Sequence, residues 1–115
     1  MIEVAILKKN NLIKAVSIKG HAYDDEEDYE IICASVSTLS HTLINYLKDS
    51  LNLKENELKV NLNKSENDEN KISIEVSDDV ILRKDVQSGF SFFEIGILGL
   101  NYDEDELVKL KYQEV

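Results

Sequence analysis

The chain has 115 residues, 43% of them hydrophobic, which suits one domain over residues 1–115 with its own core. Thirteen Lys and Arg against twenty-three Asp and Glu leave a net charge of −10. That balance argues against nucleic acid as the direct ligand and permits a basic protein or peptide as partner, while the plainer reading is that acidity only keeps the protein soluble. No apolar run is long enough to span a membrane, and the alternating first residues do not read as a leader. One cysteine excludes an intrachain disulfide and gives no sign of an oxidising compartment, so a soluble cytoplasmic protein is expected.

In chain order, residues 2–8 alternate, with Ile2, Val4 and Ile6 on one face. Lys9, Asn10 and Asn11 signal a turn, and residues 12–19 alternate again. Two such runs across a short Asn turn predict a β-hairpin. A helix follows, because Ile32, Val36, Leu39, Leu43 and Leu47 fall on one helical face. Residues 57–63 and 71–76 form a second pair of alternating strands around a polar turn. In a second helix Val86, Phe90, Phe93, Ile97 and Leu100 share a stripe. Ser77, Asp78 and Asp79 are its expected start. Gly89 and Gly96, seven apart, predict a close approach to the first helix or to a partner chain. Val108, Leu110 and Tyr112 mark a last strand. The order β-β-α-β-β-α-β predicts an α+β two-layer sandwich, with two helices on one face of a five-stranded sheet.

The chemistry centres on Cys33. It lies one step round the first helix from the buried stripe, at the edge of that face and near the expected first turn. Free amides and the helix dipole there favour a thiolate. Ser37, four residues on, shares its side, and its hydroxyl can reach the sulfur or a substrate carbonyl. His41 is eight residues further along the same helix, about 12 Å away, too far to act as base. His21 is separated from Cys33 by a loop, so helix geometry does not exclude it. Glu30 can orient an imidazole. Against this stand plainer readings: a lone helical Cys is usually a small core residue, and a His at a strand end is usually a surface one. The run Asp24–Asp28 reads as a solvated loop. It lacks the ligand alternation and turn glycine of a calcium loop, so no metal is expected.

The block Gly20-His21-Ala22, Asp28-Tyr29-Glu30-Ile31-Ile32-Cys33-Ala34, Val36-Ser37 resembles the ribosomal-processing cysteine protease family, Prp. That family's pattern is Gly-His-Ala, a short loop, Gly-x-Asp-Ile-Val-Cys-Ala, then Val-Ser. The His-to-Cys spacing, the length and the element order are similar as well. The resemblance implies a His21/Cys33 dyad, with Gly20 letting the chain turn beside the histidine. Ser37 matches the family's serine, and Asp28 and Tyr29 fall in the substrate loop. It also implies homodimers, and removal of the N-terminal extension of a large-subunit ribosomal protein after a pair of aromatic residues. Two positions depart from the pattern. Asp28 replaces a glycine, removing easy access to positive φ, and Glu30 replaces an aspartate, adding one methylene.

The expected function is therefore a cytoplasmic cysteine endopeptidase acting on a ribosomal protein precursor, with no metal or organic cofactor. The alternatives are a catalytically weakened module that binds a ribosomal protein or assembly factor, and a redox-sensing thiol.

Overall fold

A computed structural model describes residues 2–20, 27–64, 70–101 and 108–115, with the side chains of residues 27–30, 64 and 70 outside the description. Five strands form one sheet: β1 (Ile2–Lys9), β2 (Leu12–Gly20), β3 (Leu58–Lys64), β4 (Asn70–Val76) and β5 (Val108–Glu114). Their spatial order is β3-β4-β2-β1-β5. All neighbours pair antiparallel except β1 and β5, which are parallel. The helices are α1 (Glu27–Asn45), which runs on into a single π-helical turn at Tyr46–Ser50, and α2 (Lys84–Leu100). The architecture is the α+β sandwich with the expected β-β-α-β-β-α-β order.

The β1–β2 hairpin closes through Asn10 and Asn11, with φ of 52° and 66°. Two consecutive positive φ values define a primed turn, which asparagine tolerates and which matches the strand twist. Ile2, Val4 and Ile6 are buried on the helix-facing side, as are Val16, Ile18, Ile74 and Val76. The alternating partners face away.

The helices cover that side. Ile32, Val36, Leu43 and Leu47 from the first helix meet Val86, Phe90, Phe93 and Ile97 from the second in one buried cluster. The glycines are explained by helix–helix approach. A Cβ on Gly89 would lie 2.6 Å from the Tyr46 ring, and one on Gly96 would lie 2.7 Å from Leu39. Tyr46 is fixed in that position, because its hydroxyl donates to the Asp85 carbonyl at 2.8 Å. Gln87 ties α2 to the sheet. Its Oε1 accepts from the Ile13 amide at 2.9 Å, and its Nε2 donates to the carbonyls of Ile13 and Ile81.

Two helix starts differ from expectation. α2 begins at Lys84, not at Ser77. Asp78 is instead held by Lys9 (2.8 Å) and Lys14 (3.1 Å), and the following turns bury Val80 and Ile81. The cap-like Ser-Asp-Asp signal thus serves a turn, and Asp85 supplies the acid in the true first turn. α1 begins earlier than expected, at Glu27. The end of the acidic run is helical rather than loop, as acids at a helix N-terminus favour.

Candidate active site

Cys33 is the seventh residue of α1, so it lies in the second turn and not the first. Free amides belong to the first four residues of a helix. The Cys33 amide is therefore inside the hydrogen-bonded body, and the dipole effect falls off within the first turn. Burial dominates instead. The Cys33 thiol is pushed above its ordinary value of 9.0 by desolvation, partly offset by the positive α-amino group of the chain. Burial alone favours the protonated thiol, and a paired base is what would ionise it.

The sulfur stands at a shallow cavity of about 130 Å³ between α1 and the sheet. Gly20, Cys33 and Ser37 line it together, with Ile2, Ile18 and Ile72 from three neighbouring strands. The register explains the convergence. Gly20 pairs with Ile2 on one side and with Asn70 on the other, while Ile18 pairs with Val4 and Ile72. The sheet end that carries Gly20 is thus brought under Cys33. Gly20 has φ of 152°, a conformation that a side chain would strain. The chain leaves β2 at the cavity rim through a residue that only glycine fills without cost, and the next residue in sequence is His21.

Of the expected site residues, Gly20, Cys33 and Ser37 share this cavity, with Ser37 exposed on it. His21 lies outside the described residues. Asp28, Tyr29 and Glu30 occupy the first turn of α1 by backbone, and their side chains lie outside the description. Because Asp28 is helical here, its backbone needs no positive φ in this conformation. His41 is exposed further along the helix. Among the described residues, no group of His, Cys, Asp and Glu could hold a metal ion.

Sequence reasoning missed Ser40 and the isoleucine walls. Ser40 is fully buried, lines the same cavity, and its hydroxyl donates to the Val36 carbonyl at 2.7 Å. Its spacing was a usable signal, since seven residues from Cys33 and three from Ser37 put it on their face. The isoleucines could be found only from the strand register.

The end of β2 and a helical cysteine meet at this cavity, and a histidine follows that strand end in sequence. The chain belongs to the cysteine protease Prp family, whose pattern matches residues 1–109. It is therefore a cysteine protease. Among solved structures, it resembles the protein SMU.848 from Streptococcus mutans, with 29% identity and a TM-score of 0.81 over 100% of this chain and 96% of that one. It also resembles the essential ribosomal processing protease Prp from S. aureus. The form in complex with a substrate peptide shares 18% identity and a TM-score of 0.74, over 98% of this chain and 100% of that one. The form with a covalently linked product peptide gives 20% and 0.73, with the same coverage. No curated protein matches the chain.

Proposed function

We propose that this protein is a single-domain cytoplasmic endopeptidase that removes the N-terminal extension of a large-subunit ribosomal protein through a Cys33/His21 dyad. The observation that carries the reading is the shared cavity of Gly20 and Cys33, which leaves His21 one residue from the nucleophile's own pocket. The S. aureus protein of the same fold is a ribosomal processing protease, and that supports the substrate class.

In the reaction, the His21 imidazole takes the Cys33 proton, and the thiolate attacks the scissile carbonyl. The tetrahedral intermediate collapses, and the imidazolium returns the proton to the leaving amine. Water activated by the same imidazole then hydrolyses the thioester and frees Cys33. No step requires a metal or organic cofactor. Desolvation gives the imidazole its importance: a thiol raised by burial is a poor nucleophile until a paired cation stabilises its anion. Glu30 orients the imidazole, Ser37 contacts the substrate backbone at the rim, and Asp28 and Tyr29 border the substrate. Backbone donors for the oxyanion come from outside the body of α1, since its amides near Cys33 are committed.

The functional unit is a homodimer. Phe92, Ile95 and Leu98 on one face of α2 are 73%, 62% and 51% exposed, a cluster that a second copy would cover.

The test is mass spectrometry of a synthetic extension peptide, from the same organism's ribosomal protein, incubated with wild type, Cys33→Ala and His21→Ala. Cleavage after the aromatic pair by wild type alone is expected. A peptide that all three bind and leave intact would favour the binding module and name Asp28 as the position to revert.

A further inference from the structure

The inward stripe of α1 is aliphatic except at one position. Val36, Leu43 and Leu47 are buried, and Ser40 falls among them at helical spacing. Ser40 is fully buried, and it is the one buried polar residue among the described residues. Its hydroxyl donates to the Val36 carbonyl at 2.7 Å, so it is satisfied within its own helix. What separates it from its neighbours on the stripe is then size. A leucine or valine there would reach further toward the sheet, and the short serine leaves room. That room is the cavity of about 130 Å³ beside Cys33, which Ser40 lines together with Val36, Ile2, Ile18 and Ile72.

We propose that Ser40 determines specificity by setting the depth of this cavity, so that Cys33 acts after a residue whose apolar side chain is the size of a single six-membered ring. The role rests on Cys33 being the nucleophile of an endopeptidase. Size decides how much enters: a cavity of about 150 Å³ walled by aliphatic and aromatic side chains holds benzene, so this one admits one ring. The walls decide what kind of group enters. Three isoleucines and a valine offer no partner to a charge or an amide, which would lose its water without compensation. The reaction decides which residue is held there. The carbon that the sulfur attacks is bonded to the Cα of the residue before the cut, and it stays bonded to sulfur in the acyl-enzyme. That residue's side chain is therefore kept beside Cys33 through both steps, whereas the residue after the cut leaves with the amine.

The experiment uses the full chain and two extension peptides, with Phe or Ala directly before the cut. Wild type should favour the Phe peptide in kcat/KM by about tenfold or more. Ser40→Leu should lose that preference, and Ser40→Val should lose part of it, because each fills the cavity from its floor. Ser40→Ala keeps the side chain small and should retain the preference. A serine needed only for stability would lower both peptides alike in every variant. A second readout needs no cleavage. Cys33 is the only cysteine in the chain, so alkylation reports on its cavity alone. The rate with N-benzyl iodoacetamide, divided by the rate with iodoacetamide, should fall about threefold or more in Ser40→Leu and hold in Ser40→Ala. Native circular dichroism is checked throughout, and Ser40→Val carries the test if Ser40→Leu does not fold. An alkylation ratio unchanged by the larger residues overturns the proposal, as does a Phe preference that survives in them. No cleavage by wild type, with the alkylation ratio still shifted, would count against the endopeptidase reading and uphold Ser40 as the floor of the cavity.

Discussion

Replacing His21 with alanine should strand Cys33 as a buried thiol, and the size of the effect follows from its surroundings. Burial pushes the thiol above 9.0, so without the imidazole at most about 1% is thiolate at pH 7. Pairing with an imidazolium drives such thiols down toward or below neutrality, so the proposed dyad would leave wild type largely ionised at the same pH. The thiolate population then falls about 100-fold on substitution. The surviving thiolate is more basic and more nucleophilic, which recovers roughly six- to tenfold across two pKa units. Alkylation by iodoacetamide at pH 7 should therefore slow about tenfold. At pH 6 the gap should widen, because the variant loses thiolate tenfold while wild type loses less. The assay is the pseudo-first-order alkylation rate from pH 5 to 10, followed by mass spectrometry. The expected profile inflects below neutrality in wild type and above pH 9 in the variant. Superimposed profiles would refute the pairing of His21 with Cys33.

Other substitutions probe the scaffold. Gly20→Ala forces a side chain onto a φ of 152° and should cost about 1–3 kcal/mol. It should also lower kcat/KM by about tenfold or more through the displaced His21, as measured by thermal unfolding and peptide cleavage. Gly89→Ala drives a Cβ to 2.6 Å from the Tyr46 ring. The overpacking of about 1–3 kcal/mol exceeds the gain of about 1 kcal/mol in helix propensity, so urea unfolding should show a net loss. Gly99→Ala meets nothing within 4 Å and should stabilise by up to about 1 kcal/mol. Phe92→Glu, at an exposed position, should leave the melting temperature nearly unchanged and shift sedimentation from dimer to monomer.

Much of the fold was legible in the sequence because its strands alternate and its helices keep a stripe. Leu43 and Leu47, or Phe90 and Ile97, could be assigned inward without coordinates. Gly89 and Gly96 announced a close contact but not its partner, which proved to be Tyr46 and Leu39 on the first helix. Helix starts were less legible, since a Ser-Asp-Asp run suits a turn as well as a cap. In this protein Lys9 and Lys14 decide the matter by holding Asp78. Likewise the acids Glu27 and Asp28 suit both a solvated loop and a helix N-terminus, and the helix claims them. At the site, helical spacing put Cys33 and Ser37 on one side of the helix, and Gly20 came from the family resemblance. The walls contributed by Ile2, Ile18 and Ile72 depend on strand register, which a single sequence leaves open.

The central claim is that the Cys33 sulfur attacks the scissile carbonyl. The most direct measurement is intact mass spectrometry of the enzyme, acid-quenched during turnover of the extension peptide and then mapped by proteolysis. The account predicts a thioester adduct on the peptide that contains Cys33, with the mass of the N-terminal product's acyl group. It should build up during turnover and be missing in Cys33→Ala. Undiminished cleavage by Cys33→Ala, with no adduct on the wild-type protein, would contradict it.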